Sequence, residues 1–364
     1  MQVHNQLRQL ILSGQWPHGT RIPSESDFVE YLRLSRSTIR LALQQAEVEG
    51  LIERIAGRGA FVIYESTKTH LNKIIAFVAS DFDSENQLLA LSGIESEAKS
   101  RGYQVVFSKA RSRQEEIEIL TTMQEKDAGV VLWANGSDVT NIDKIAYQRF
   151  HIPIVLLDRT IDGLECDCVT SDNYGGTHAL LQHIVELGHQ RIVFLSHQMT
   201  DLSTVKDRYC AYQDVLRENG LPAANPWLIG LPGKEMSFRR AIRSSVDNHS
   251  LELQQIKEYL LTAEPRPTAI FAINDLLAVL TMRAMKLLGL DVPGVVSIAG
   301  FDDHDMAAHL DVPLTTVAQD SYTLGKTAAQ ILLNRIEGFS GPFCNQIIPT
   351  QLRIRSSTAL PVRI

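Results

Sequence analysis

The chain has 364 residues, of which 44% are hydrophobic and 21% charged, and its formal net charge is −7. That length implies two or three domains. No run of about 18 uninterrupted apolar residues occurs, which excludes a membrane-spanning helix. The first residues lack a basic stretch followed by an apolar core, so a cytoplasmic location is expected.

The first helical period is Val3, Leu7, Leu10 and Ile11, predicting a helix over 3–12 that ends at Gly14 and Pro17. Ser24 and Asp27 form a capping box with Asp in place of the usual Glu, starting a second helix that runs to about Leu32. Ser35 caps a third, with Ile39, Leu41, Leu43, Ala46 and Val48 on or near its apolar side and Gly50 at its end. Leu51–Ile55 and Ala60–Ile63 read as two strands joined by the tight turn Gly57-Arg58-Gly59. This is helix, turn, helix and wing.

Charge is patterned across this segment. Residues 1–65 hold seven arginines and seven acids, but Leu32 to Gln44 contains three arginines (Arg33, Arg36, Arg40) and no acid. A local basic stripe is what phosphate contacts require, whatever the total charge. The first turn of a recognition helix meets base edges in the major groove, which suits Arg36 and Arg40 for bidentate bonds to guanine and Thr38 for a phosphate or a thymine methyl. Arg58 at the wing tip suits a narrow minor groove.

Residues 64–73 are polar and aperiodic, a linker. Beyond them the pattern becomes strand then helix, repeatedly. Apolar runs at 74–78, 103–107, 129–133 and 154–158 alternate with helical stretches near 85–101, 114–125 and 141–150. A second series follows, with strands at 192–195, 227–230, 269–272 and 296–301 and helices at 175–187, 205–219, 251–263 and 275–288. Continuous apolar runs are strands buried on both faces, so the expected architecture is doubly wound parallel α/β in two lobes. Ligands then bind in the cleft at the carboxyl ends of the strands.

Asp158, Asn274 and Asp302 each follow an apolar strand, where they suit hydroxyl groups that both donate and accept. Trp133 and Phe82, also at strand ends, offer flat faces for stacking on a sugar. Asp275 reads as a helix N-cap and Asp303 as structural. Cys166, Cys168, Cys210 and Cys344 show no metal-ligand spacing and read as free, mostly buried thiols. The histidines form no metal pattern and no nucleophile elbow is present, so neither a metal, a cofactor nor an enzymatic activity is expected.

Residues 1–63 resemble the GntR-type winged helix through four pieces in order: I-P-S-E-S (22–26), L-S-R-S-T-I-R-L-A-L (34–43), E-G-L-I (49–52) and G-R-G-A-F-V (57–62). Residues 74–364 resemble the two-lobed, periplasmic-binding-protein-like effector domain of LacI/GalR repressors. The matching pieces are H-I-P-I-V-L-L-D-R (151–159), V-T-S-D-N-Y-G-G (169–176), R-P-T-A-I-F-A-I-N-D (266–275), D-V-P-G-V-V-S-I-A-G-F-D-D (291–303) and P-L-T-T-V (313–317). The combination resembles the arabinose-repressor group.

The resemblance implies a DNA contact set of Glu25, Arg36, Thr38 and Arg40, with Gly57, Arg58 and Gly59 at the wing; Glu25 either touches DNA or orients an arginine. It implies an effector site of Phe82, Trp133, Asp158, Arg208, Asn274, Asp302 and Gln319, with Arg208 as the clamp. The expected protein is a homodimeric repressor that holds a pseudo-palindromic operator and is released by a sugar, an L-arabinose-like pentose being favoured. The alternatives are a regulator that takes a non-sugar co-repressor and a solute-binding module that regulates nothing.

Overall fold

The computed structural model describes residues 2–12, 16, 18–55, 58–64, 73–79, 84–134, 147–197, 202–222, 225–230 and 250–362. The chain divides into two compact units, Met1–Lys73 and Ile74–Ile364.

In the first unit, α1 (Gln2–Leu12), α2 (Glu25–Leu32) and α3 (Arg36–Val48) pack on a small antiparallel sheet. Ser24 is the N-cap of α2 and its capping box with Asp27 is complete, as the spacing predicts. Ser35 caps α3, its Oγ accepting the Thr38 N–H at 3.2 Å. Arg33 ends α2 in the left-handed region, φ 55°, which turns the chain into α3. The wing strands are β2 (Ile52–Ile55) and β3 (Gly59–Val62). The sequence suggests two strands here, but the sheet has three. Arg21–Ile22 forms β1, which pairs with β3 to give the order β1-β3-β2. Two residues carry too little pattern to be read as a strand; they pair only because Ile22 enters the core beside Val62. Gly57 and the linker segment 65–72 lie outside the described residues.

The second unit holds two parallel sheets. The first lobe uses β4 (Ile74–Ala79), β5 (Gln104–Lys109), β6 (Gly129–Leu132), β7 (Ile154–Leu157), β8 (Asp167–Ser171) and β14 (Asn345–Ile348) in the order β14-β8-β7-β6-β4-β5. Alternate residues serve opposite faces. Ile75, Phe77, Val131, Val155 and Val169 pack on α4 (Glu85–Ser100) and α10 (Ser321–Ile336), while Ala76, Val78, Val130, Leu132 and Leu156 pack with Leu120 and Met123 of α5 (Arg113–Glu125). The second lobe uses β9 (Ile192–His197), β10 (Trp227–Ile229), β11 (Ala269–Ala272) and β12 (Ser297–Ala299) in the order β10-β9-β11-β12. Its core, centred on Phe194, Tyr212, Phe271 and Phe301, is covered by α6 (Asn173–Glu186), α7 (Ser203–Glu218), α8 (Leu251–Thr262) and α9 (Asp275–Leu287).

The strand–helix rhythm reads as two consecutive lobes. The structure corrects this: β8, the strands β13 (Thr316–Ala318) and β15 (Gln351–Arg353), β14 and the whole of α10 have no counterpart in that reading. The chain returns to the first lobe after β13 and leaves it again after β14. Three segments therefore pass between the lobes side by side. Asp172 N–H donates to Ile348 O at 2.8 Å, and Thr350 Oγ1 donates to Asp172 O at 3.2 Å. In the first lobe, α4 and α10 cross at two glycines: a Cβ on Gly93 would strike the backbone of Tyr322, and one on Gly325 the backbone of Ala90.

Candidate functional site

Two groups of residues carry the chemistry, one in each unit. In the first, α3 buries one side only, and Leu41 and Val48, expected on or near that side, stand exposed because the helical period turns them away from the α1 and wing contacts. Ile39, Ala42, Leu43 and Ala46 are buried, while Arg36, Ser37, Thr38 and Arg40 are exposed. Arg36 Nη2 donates to Ser26 Oγ at 2.8 Å, and the Thr38 and Ser35 hydroxyls lie 2.7 Å apart. Arg40 donates through Nε at 3.2 Å and Nη2 at 3.0 Å to the two oxygens of Glu25. Its side chain remains 61% exposed. Glu25 also lies 3.7 Å from Arg54 Nη1 on β2. Bonding to Arg40 first, then the charges of Arg54 and Arg36, hold the Glu25 carboxyl below its ordinary value. At the wing, Arg58 is exposed and its N–H bonds Ile55 O at 3.0 Å. Gly59 takes φ 109°, and the Arg21 guanidinium lies where its Cβ would be crowded, 3.3 Å away. Exposed cations on the first turns of a helix and at a hairpin tip suit the grooves and phosphates of a duplex.

In the second unit, Asp158 follows β7 in the left-handed region, φ 73°, and is buried. Its Oδ2 accepts from Arg159 Nε at 3.2 Å. Burial raises its pKa, opposed by the charges of Arg159 and Arg208. Arg208, on α7, is also buried; Nε donates to Asn173 Oδ1 at 2.9 Å, Nη1 to Ile273 O at 2.6 Å, and its carbon centre lies 3.6 Å above the Phe301 ring. Burial lowers its pKa, while Asp302, Asp158 and Asp275 act to raise it. Asp302 has φ 126° and accepts from Gln319 Nε2 at 2.6 Å. Asp158 from one lobe and Arg208, Asp302 and Gln319 from the other lobe and its crossover thus share one electrostatic neighbourhood.

The remaining sequence-derived residues are placed differently. Asn274, half-buried, is the N-cap of α9, its Oδ1 accepting the Leu277 N–H at 2.9 Å. The cap expected at Asp275 is therefore one residue earlier. Asp275 itself is buried, accepting from the His304 N–H at 2.9 Å and from the Thr316 hydroxyl. Its pKa is pushed up to about 7, chiefly by burial and then by Asp302. Trp133 is buried to 7% exposure and packs with Ile75, Phe77 and Val155 in the first-lobe core. Phe82 lies outside the described residues. Asp303 is held by Arg355 at 2.6 Å, the structural role expected of it. The thiols are less buried than expected: Cys210 and Cys344 are exposed, because they stand on the outer face of α7 and just ahead of the edge strand β14.

Sequence reasoning missed Asn173, Phe301 and Arg159. Asn173 and Phe301 each lie within a matching piece, but only the fold brings them to Arg208. It also missed the contacts that join the lobes: Thr160 N–H to Ser203 Oγ at 3.0 Å, Lys206 Nζ to Asp162 Oδ2 at 3.0 Å, and Asp305 N–H to the Glu85 carboxylate at 3.2 Å.

No helix among the described residues is long and apolar enough to cross a membrane, and no cluster of three metal-ligating side chains occurs among them. Residues 1–62 match the bacterial regulatory proteins of the gntR family, and residues 181–358 match the periplasmic binding protein-like domain. The arabinose metabolism transcriptional repressor of Geobacillus stearothermophilus is 29% identical over 98% of this chain and 97% of its own length. The HTH-type transcriptional regulator KdgR of Bacillus subtilis is 27% identical over 76% of this chain and 78% of its own. A LacI family transcriptional regulator from Enterococcus faecium, solved with bound ribose, superposes with a TM-score of 0.65 at 25% identity, covering 80% of this chain and all of that one. The chain therefore joins a gntR-family winged-helix domain to a periplasmic binding protein-like effector domain of the LacI type.

Proposed function

We propose that this protein is a non-enzymatic transcription repressor, acting as a homodimer in the cytoplasm and released from its operator by a pentose-like sugar. The observation that carries the reading is the joining, in one chain, of an exposed basic helix face to a cluster of buried Asp158 and Arg208 with half-buried Asp302, drawn from two lobes. Carboxylates, amides and a guanidinium on opposing walls satisfy the mixed donors and acceptors of a polyol. The relatives named for arabinose metabolism and the ribose-bound neighbour support a pentose.

In this reading Arg36, Thr38 and Arg40 enter the major groove and Arg58 the minor groove, with Glu25 orienting Arg40 and Gly59 shaping the tip. Asp158, Arg208, Asn274, Asp302 and Gln319 bind the hydroxyls. The sugar acts because it binds the lobes better in one arrangement than the other, and the same free energy is withdrawn from operator binding. A duplex enriched from random sequence by the protein, titrated with and without L-arabinose, tests this. The expected result is weaker DNA binding in the sugar. Enrichment of a duplex whose affinity does not change with any pentose would overturn the inducer assignment and leave the DNA reading standing.

A further inference from the structure

Arg54 lies on β2, opposite Ala60 of β3 in the wing, and faces the helices. Its Nη1 is 3.7 Å from Glu25 Oε1, and its Nε is 3.4 Å from Glu47 Oε2 near the end of α3. The side chain is only 33% exposed. Glu25, itself 24% exposed, therefore stands between two cations and uses both oxygens on Arg40. The chain of charge runs Glu47, Arg54, Glu25, Arg40, from the far end of α3 through the wing and the start of α2 back to the middle of α3.

A guanidinium has five N–H donors in a fixed plane. Glu25 takes the edge made by Nε and Nη2 of Arg40. The outer edge, Nη1 with the remaining Nη2 proton, makes no bond among the described residues and belongs to a side chain that is 61% exposed, and a bidentate bond to guanine needs two such donors side by side. A free arginine side chain samples many rotamers, and holding it in one before binding removes that entropy from the cost of association. Glu25 can hold Arg40 only if it is held itself, and Arg54 is the second cation within ion-pair distance of it.

We infer that Arg54 is a positioning residue for DNA recognition, acting through Glu25 to fix the plane of the Arg40 guanidinium, and so linking the seating of the wing to base reading by α3. The inference rests on the DNA-binding reading above. Arg54 itself touches no phosphate.

The test is a double-mutant cycle in the full chain, using the duplex that the wild-type protein enriches from a random-sequence pool. Arg54→Met should weaken binding about 5- to 30-fold in the wild-type background and less than about 2-fold in an Arg40→Ala background, since residues acting as one unit are not additive. Its salt dependence should match wild type, because losing a phosphate contact lowers the slope of log affinity against log salt by about one. Sequence enrichment by Arg54→Met should relax at the base pair that Arg40→Ala also relaxes, a readout that general loosening of the domain would not confine to one position. Equal losses in both backgrounds, or a slope lower by one, would overturn the inference while leaving DNA binding intact. A wild-type chain that enriches no duplex would overturn the DNA reading itself and this inference with it.

Discussion

Replacing Asp275 by asparagine should stabilise the protein at alkaline pH and leave it unchanged in acid. In an unfolded chain this carboxyl ionises near its ordinary value of 3.8; in the fold it keeps its proton until about 7. Between those values the folded state binds more protons than the unfolded one, so stability falls as pH rises through that window and is level above it. A shift of about three pKa units at about 1.4 kcal/mol each puts the deficit at up to about 4 kcal/mol above pH 7. Asparagine cannot ionise, and it fits. Its Oδ1 can accept the His304 N–H now held at 2.9 Å by Asp275. Its amide can donate to Thr316 Oγ1, whose hydroxyl turns from donor to acceptor. Urea unfolding of both chains at pH 5 and pH 8 measures the difference. The variant's advantage should grow between the two; an equal difference at both, or a less stable variant at pH 8, would refute the argument that a buried charge beside Asp302 is what destabilises the site.

Arg208→Met leaves Asp158, Asp275 and Asp302 without the buried cation they share; we expect a loss of about 3–5 kcal/mol at neutral pH by urea unfolding, shrinking at acid pH as the carboxyls protonate. Ser203→Ala strips the acceptor from the Thr160 N–H. It should cost about 1–3 kcal/mol and, because that bond joins the lobes, raise the pentose Kd in calorimetric titration while leaving DNA affinity without sugar unchanged. Gly325→Ala places a Cβ against the Ala90 backbone where α4 and α10 cross; overpacking of this kind costs about 1–3 kcal/mol, and a thermal melt should show a lower midpoint although alanine is the better helix former.

Local chemistry was legible wherever a residue acts on its own neighbours. The capping box Ser24–Asp27, the Ser35 cap and the apolar strand runs need only a few residues in sequence to be recognised, and each stands where the spacing puts it. Asp275 shows the limit of that reading. Two capping-type residues stand side by side, and which one caps depends on backbone angles that α9 and β11 set together; Asn274 takes the extended angles of the cap, φ −151° and ψ 167°. β8, Asp-Cys-Val-Thr-Ser, was missed because polar residues interrupt its apolar run, although β7 and β14 bury it from both sides.

The order of elements, the polarity of each helix and the residue types at the strand ends are properties of short segments, fixed by period, caps and turns, and these the chain alone determines. Partnership between distant residues is not. Arg208 meets Phe301, Arg40 meets Glu25, and α10 returns to pack against α4, because burying apolar faces brings those segments together. Hydrophobic burial is non-directional; only the packed backbone decides which charge stands beside which, and hence how far Asp275 is moved from its ordinary pKa and which edge of Arg40 is left free.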